Sequence, residues 1–152
     1  MSETKISIVS FGYGHTGLPD EDGTPLEVPR TDVTLDLRRI LYNPHLDPAM
    51  RFMTGLDEAV YEYVMATPGA QLLADQTALS AHITVTQGPL PGGLSIGVGC
   101  SGGRHRAVGV ARRIGFLLEN FTRAGGYGVE LVHRDVHRAV LPSRVHKAGD
   151  GR

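Results

Sequence analysis

Residues 94–121 read LSIGVGCSGGRHRAVGVARRIGFLLENF, and this stretch decides the fold. Its first five residues, Leu94–Val98, form a short apolar run typical of a buried strand. The glycine-dense run Gly99–Gly103 follows at once, and from Arg104 the apolar residues recur at three- and four-residue steps. The stretch therefore predicts a strand, a tight loop and a long helix, which together make the repeating unit of an α/β protein.

The remainder of the chain predicts the same fold class. Alternation of β-branched residues predicts further strands over Lys5–Phe11, Thr31–Leu37 and Gly128–His133. Helical periodicity predicts a helix over Glu58–Met65, with Asp57 as its N-cap, and a second helix over 70–81. Strands that alternate with helices predict a single α/β domain with a mostly parallel sheet flanked by helices. We expect this domain to occupy residues 1–140 and a flexible basic tail to occupy residues 141–152.

Composition excludes several classes of protein. The chain has 152 residues, of which 41% are hydrophobic and 20% are charged, as in a folded domain with one core. No apolar run approaches the ~20 residues that a membrane-spanning helix needs. The start lacks the apolar core of a secretory signal, and the single cysteine, Cys100, excludes an internal disulfide. We therefore expect a cytoplasmic domain without membrane contact.

Charge is distributed unevenly along the chain. Residues 1–103 hold five Lys/Arg against twelve Asp/Glu, whereas residues 104–152 hold ten against four, and the net charge is −1. One interpretation is a basic face for phosphate or nucleic acid, and the other is an ordinary surface in which folding mixes the two halves. Charge alone favours the ordinary surface.

The glycine-rich segment Gly99–Arg106 is the strongest candidate binding site. Free N–H groups at a helix start attract anions, and glycines let successive N–H groups converge on one ligand. Ser101, Gly102 and Gly103 would supply that backbone, while Arg104, His105 and Arg106 would add donors suited to phosphate oxygens. The Walker A and Rossmann spacings are both absent from this segment. The pattern predicts a phosphate site that needs neither a cofactor nor a metal ion.

An alternative function uses the same residues. Cys100 and Arg106 have the Cys-x5-Arg spacing of cysteine-dependent phosphatases, in which a thiolate attacks phosphorus while the arginine holds the oxygens. Ala107 stands where those enzymes usually carry Ser or Thr, and the general acid would come from Asp36, Asp47 or Asp57. Cys100 is otherwise explained as a small buried residue beneath the turn.

Five motifs in order make the chain resemble the C-terminal domain of the RNase adapter protein RapZ, and we expect it to stand without the N-terminal nucleotide-binding domain of that family. The resemblance covers about residues 5–135. Its motifs are Ser10–Gly14 with Gly17–Pro19, Asp36–Arg38 with Asn43–His45, Thr54–Asp57, Gly99–Arg106, and His133–Asp135.

The resemblance implies an α/β domain that binds a sugar phosphate and acts as a sensor or adapter. It places His45, Ser101, Gly102 and Arg106 in the ligand pocket, and it implies small RNA or a ribonuclease as further partners. The chain departs from the family at Ala107, usually Ser, and at Leu46, usually aromatic. Because no Walker loop is present, we do not carry over ATP or GTP binding.

An RNA-binding adapter is the second alternative. It would use a basic face, and a homo-oligomer that joins several such faces would bind RNA better than a monomer. The residues of this face would be Arg112, Arg113, Arg123, Arg134 and Arg138.

Overall fold

The computed structural model describes residues 4–88 and 92–142. Within them, four strands and three α-helices follow one another along the chain. In order these are β1 (Lys5–Gly12), β2 (Val33–Asp36), α1 (Glu58–Met65), α2 (Ala70–Gln87), β3 (Gly93–Cys100), α3 (Arg106–Gly125) and β4 (Gly128–His133). Two short 3₁₀ turns, Tyr13–His15 and Pro44–Leu46, lie in the loops that flank β2.

The four strands form one parallel sheet in the order β2-β3-β1-β4. β1 lies inside the sheet and pairs with β3 from Lys5↔Gly93 to Gly12↔Cys100. On its other side it pairs with β4, from Lys5↔Gly128 to Ser10↔His133. The predicted fold class, a single α/β domain with a mostly parallel sheet, is confirmed.

The helices and one face of the sheet enclose the hydrophobic core. Alternate residues of β3 point into it, as do Ile6 and Ile8 of β1, while Ser7 and Ser95 point to the opposite face and are partly exposed. The connections β2-α1-α2-β3 and β3-α3-β4 run across the sheet in the same direction. Right-handed crossovers in one direction place their helices on one face, so the core lies between that face and the three helices.

The elements differ from the sequence predictions mainly at their ends. α2 continues six residues beyond the predicted end at residue 81, since its last two turns still pack on the domain through Val85. α3 begins at Arg106, so Arg104 belongs to the preceding loop. Asp57 does stand at the N-cap position of α1, but its carboxylate accepts a hydrogen bond from the Thr54 N–H at 2.8 Å and makes none to the helix.

The predicted tail, residues 141–152, lies outside the described residues except for Leu141 and Pro142. No helix within residues 4–88 and 92–142 combines the length and the apolar character required to cross a membrane.

Candidate ligand-binding site

The candidate site lies outside the carboxyl ends of β1 and β3, and we call this place the crevice. Gly12 at the end of β1 is opposite Cys100 at the end of β3. From these two neighbouring ends the chain leaves in opposite directions, since β1 leads to β2 at one edge of the sheet and β3 leads through α3 to β4 at the other. In open parallel sheets ligands bind at such a switch point.

Glycine is required on both sides of this crevice. A side chain on Gly12 would collide with the backbone of Gly102, and a side chain on Gly103 would collide with Gly12. Gly103 also has φ +71, a conformation that L side chains rarely adopt. The N–H of Gly14 donates to the Ser101 carbonyl at 2.8 Å. The loop is therefore locked against β1.

The outer side of the same loop is open. Ser101 is exposed, and a β-carbon added to Gly102 would meet no atom within 4 Å. Ser101 and Gly102 consequently present an open backbone surface, whereas Gly103 is buried against β1.

Arg106 begins α3 directly after the loop and is 5% exposed. Its Nη1 donates to three backbone carbonyls of the loop after β2, those of Leu37 at 3.0 Å, Arg38 at 3.2 Å and Ile40 at 3.2 Å. Its Nε is buried and has no hydrogen-bond partner. The side chain thus holds the β2 loop in place and retains one buried donor without an acceptor.

Arg104 is held differently, although it comes from the same loop. Its Nε donates to the Met53 carbonyl at 3.0 Å and its Nη2 donates to the Phe52 carbonyl. Its Nη1 donates to the Arg138 carbonyl at 3.2 Å. The guanidinium therefore fastens two distant segments to the glycine loop, and its donors face backbone carbonyls.

His105 is 5% exposed and also binds the segment around residue 50. Its Nε2 lies 3.1 Å from the Met50 carbonyl, so the neutral ring donates there. Burial, assisted by the charge on Arg104, lowers the pKa of His105 to about 4. The side chain is a neutral structural donor at ordinary pH.

His45 is the predicted site residue that comes from the most distant part of the sequence. It lies half-buried in the turn Pro44–Leu46, where its N–H donates to the Asn43 side chain at 3.2 Å. Burial lowers its pKa, and the charges of Arg51 and Arg106 lower it further. The charge of Arg106 therefore reaches His45.

Cys100 points away from the open side of the loop. It is 3% exposed, belongs to the hydrophobic core, and its Sγ accepts a hydrogen bond from the Ala107 N–H at 3.4 Å. A phosphatase nucleophile has to reach a phosphorus atom in the crevice, and this buried sulfur does not face it. The contact supports the structural explanation of Cys100.

A buried carboxylate that the sequence did not mark as part of the site supports the crevice from below. Asp135 is fully buried and accepts hydrogen bonds from the Gly12 N–H at 2.7 Å, from Arg134 Nη2 at 2.8 Å and from Arg138 Nε at 2.7 Å. Burial by itself raises the pKa of Asp135, but these donors lower it overall. Asp135 and Arg134 thus form an internal ion pair.

The sequence patterns also did not identify His15 or the contact between Tyr13 and Arg38. His15 is 4% exposed, and burial lowers its pKa against the opposing influence of Asp135. Arg38 lies 3.8 Å above the Tyr13 ring and forms an ion pair with Asp36 at 2.7 Å. Tyr13 and Asp36–Arg38 belong to motifs of the family resemblance, and that membership was the only available signal.

The arginines of the RNA alternative are largely paired with acids. Arg112 binds Glu58 at 2.5 Å and Arg113 binds Asp75 at 3.0 Å, so acids of the first half of the chain neutralise arginines of the second. Arg134 and Arg138 both bind Asp135, as described above. Folding therefore mixes the two halves in space, in agreement with the ordinary-surface interpretation of the charge pattern.

Metal ligands do not gather at the crevice. Within residues 4–88 and 92–142, no group of three or more His, Cys, Asp or Glu side chains is placed to hold an ion.

Comparison with known proteins identifies relatives that carry a similar segment. The chain is 41% identical over 135 residues to a nucleotide-binding protein of Frankia casuarinae, covering 87% of this chain and 41% of the relative. It is 40% identical over 136 residues to a nucleotide-binding protein of Thermus thermophilus, covering 88% of this chain and 43% of the relative. The chain thus spans about two fifths of the length of these relatives.

The family model described as the RapZ C-terminal domain matches residues 4–137, which include all four strands, all three helices and the crevice. The resemblance seen in the five motifs is confirmed over almost the whole described structure. The chain belongs to the family of RapZ C-terminal domains.

Proposed function

We propose that this domain binds a phosphorylated small molecule of the sugar-phosphate class at the crevice between β1 and β3. The observation that carries the proposal is the preformed glycine surface at the switch point of the sheet, with its outer side open. Backbone N–H groups of Ser101–Gly103 would hold the phosphate, because fixed N–H donors bind anions without further ordering of the loop.

The charges around the crevice favour an anion. Arg106 carries a positive charge at the start of α3, directly after the loop, and its buried Nε has no partner in the described structure. A buried donor without an acceptor is costly, and a phosphate oxygen, directly or through a water molecule, would satisfy it. His45, whose pKa this charge helps to lower, would donate to another oxygen.

Arg104 and His105 take part in this proposal as positioning residues. Their donors bind backbone carbonyls of Phe52, Met53 and Met50, so they would act on the ligand by holding the loop rather than by contact. The sugar would then lie toward Tyr13 and Arg38, because Tyr13 precedes Gly14, whose N–H donates to the Ser101 carbonyl, and Arg38 stacks on the Tyr13 ring.

Binding without chemistry is the activity that this arrangement supports. A phosphatase needs an accessible nucleophile, and Cys100 is buried in the core. We therefore propose a sensor or adapter module that responds to the phosphorylated ligand and passes the response to a macromolecular partner.

The substitution Gly102→Ala tests this site with little disturbance of the fold. Its new methyl group meets no protein atom, but it would stand on the surface proposed to receive phosphate. Gly128→Ala at the start of β4 is the matched control, because its added β-carbon also meets nothing and lies at the opposite end of the sheet.

Calorimetric titration with a hexose 6-phosphate, and with the free hexose, measures the effect. We expect the wild type and Gly128→Ala to bind the phosphorylated sugar equally and the free sugar poorly. Gly102→Ala should bind at least about tenfold more weakly, which corresponds to about 1.4 kcal/mol. Equal affinity of all three proteins for the phosphorylated sugar would remove the loop from the binding site.

A further inference from the structure

The segment that follows β4 stays at the carboxyl edge of the sheet and is held there. The Arg138 N–H donates to the Asp135 carbonyl at 3.1 Å, and the Arg138 Nε donates to the buried Asp135 carboxylate at 2.7 Å. Val136 is buried, and Arg104 of the glycine loop donates to the Arg138 carbonyl at 3.2 Å. We call residues 134–142 the strap. Its first half is therefore fixed to the loop that carries the proposed phosphate site.

The end of the strap lies on the loop that follows β1. A β-carbon added to Gly14 would lie 2.5 Å from Leu141 Cδ1 and 2.9 Å from the Ser101 carbonyl oxygen. These two atoms thus flank the same point, and the Gly14 N–H donates to that carbonyl at 2.8 Å. Leu141 consequently packs on Gly14 directly beside the exposed residue Ser101.

Leu141 brings an apolar side chain to a polar part of the molecule. It is half-buried, so its contact with Gly14 leaves part of the side chain in solvent. The open backbone of Ser101 and Gly102 lies next to it. Small-molecule sites combine an apolar lining with a few polar groups that fix the orientation of the ligand. Leu141 supplies the apolar part of such a combination.

The two parts of a sugar phosphate match these two surfaces. A phosphate group is polar and hydrated on every side, so it gains nothing from contact with a leucine. One face of a sugar ring consists of C–H groups, and covering that face removes apolar surface from water. With the phosphate held on the loop, the attached ring would come against Leu141 on the side of Gly14.

The family match does not assign this residue. The matched stretch ends at residue 137, and the last of the five motifs ends at Asp135. Only the packing of the strap on Gly14 brings Leu141 to the site.

We propose that Leu141 is a specificity-determining residue, an apolar wall against which the ring of a sugar phosphate packs. This inference rests on the proposed function, and it adds that the site selects ring-bearing phosphates over inorganic phosphate.

Calorimetric titration of the full 152-residue chain with glucose 6-phosphate and with inorganic phosphate tests the proposal. Leu141→Ala removes three carbon atoms from the wall, so it should weaken the binding of glucose 6-phosphate about fivefold. It should leave the affinity for inorganic phosphate within about twofold of the wild type. Leu141→Met conserves the apolar volume and should bind glucose 6-phosphate as the wild type does.

Leu131→Ala is the matched control. Leu131 is also a partly exposed leucine, but it lies on β4 and packs against Gly115 of α3. The control should therefore leave the affinities for both ligands unchanged.

Each contrary result has its own meaning. Unchanged binding of glucose 6-phosphate by Leu141→Ala would show that the ring does not contact Leu141, and would overturn the proposal. An equal loss of both ligands would overturn it too, because Leu141 would then only support the loop. A wild type that binds neither ligand would overturn the proposed function and, with it, this inference.

Nuclear magnetic resonance measures the contact directly. We expect nuclear Overhauser effects between the Leu141 methyl protons and the ring protons of bound glucose 6-phosphate. Their absence from a complex that calorimetry shows to be saturated would overturn the proposal, even if the phosphate is bound at the loop.

Discussion

The carboxyl edge of the sheet and the face covered by the helices are built from different chemistry. The helix-covered face is apolar, with residues such as Ile8, Ile96 and Ile114 fully buried or nearly so. The carboxyl edge holds every buried polar side chain of the described residues, namely Ser10, His15, His105, Arg106 and Asp135. Polar burial costs free energy unless each group is hydrogen-bonded.

This difference shows which region of the fold contains groups that serve a purpose other than stability. An apolar core stabilises the fold by itself, whereas buried polar groups at one edge are retained at a cost and hold loops in exact positions. The loops they hold are those of the crevice. Five predictions test whether the two regions respond as differently as their chemistry implies.

Asp135→Ala should have the largest effect. The substitution leaves the Gly12 N–H without its acceptor and two arginines without their buried counter-ion. Breaking a buried ion pair from one side costs about 3–5 kcal/mol of unfolding free energy. Urea unfolding measures the loss, and the ligand affinity of the folded fraction should fall too, because Gly12 packs on the glycine loop.

Ile114→Ala is the core counterpart of that variant. It should lower the free energy of unfolding by about 2–5 kcal/mol, because apolar burial is lost and a cavity is created. The ligand affinity should stay unchanged. A parallel loss of affinity in both variants would show that the two regions are not separable.

Acid should weaken the edge through His105. Folding lowers the pKa of His105 from 6.5 to about 4. Between these two pH values the unfolded chain therefore binds a proton on His105 that the folded chain does not bind. The titration of His105 leaves the free energy of unfolding unchanged above pH 6.5. As the pH drops toward 4, it lowers that free energy by up to about 3 kcal/mol.

The variant His105→Gln isolates that contribution, since the amide can donate to the Met50 carbonyl but does not titrate. Its unfolding free energy, measured from pH 7 to pH 4, should fall less steeply than that of the wild type. Identical slopes would assign the acid sensitivity to other groups.

Arg106→Ala should weaken binding of a sugar phosphate by about 1.5–3 kcal/mol, the range for loss of a hydrogen bond to a charged group. It also frees the carbonyls of Leu37, Arg38 and Ile40, so the affinity must be measured under conditions where circular dichroism shows a folded variant. Arg106→Lys retains the charge without the planar fork and should give an intermediate affinity. Calorimetry that finds equal affinity in all three proteins would exclude Arg106 from the site.

Cys100→Ser should have the smallest effect. The serine oxygen can accept the Ala107 N–H as the sulfur does, and placing a hydroxyl in the core should cost about 1 kcal/mol of stability. Ligand affinity should stay within about twofold of the wild type. If the wild type hydrolyses an aryl phosphate and Cys100→Ser does not, the phosphatase alternative takes the place of the binding function.

Local sequence patterns predicted most of the fold. The strand Gly128–His133 and the helix Glu58–Met65 both begin and end at the predicted residues. Their periodicity and the glycine and proline residues that end them are local properties of the sequence. The prediction ended α2 too early because residues 82–87 are β-branched and polar, and their contacts with the rest of the domain outweigh weak helix propensity.

The candidate site was predicted in part. The loop pattern and the family motifs predicted the glycines and His45 as site residues, and these stay predictions. The partners of Arg104 and His105 were not foreseeable, because they are backbone carbonyls some 50 residues away in the chain. Every residue carries a backbone carbonyl, so a side chain that binds one does not require any particular residue type at the partner position.

The sequence by itself determined the α/β class, the family and the strand-loop-helix that carries the glycines, because periodicity and glycine placement act over a few residues. Only the tertiary structure decided the strand order β2-β3-β1-β4, and hence that β1 and β3 meet at a switch point. It also decided that Asp135 and Arg106 are buried side chains at that point rather than surface charges. Burial and pairing depend on which distant segments come together, and that is a property of the packed chain as a whole.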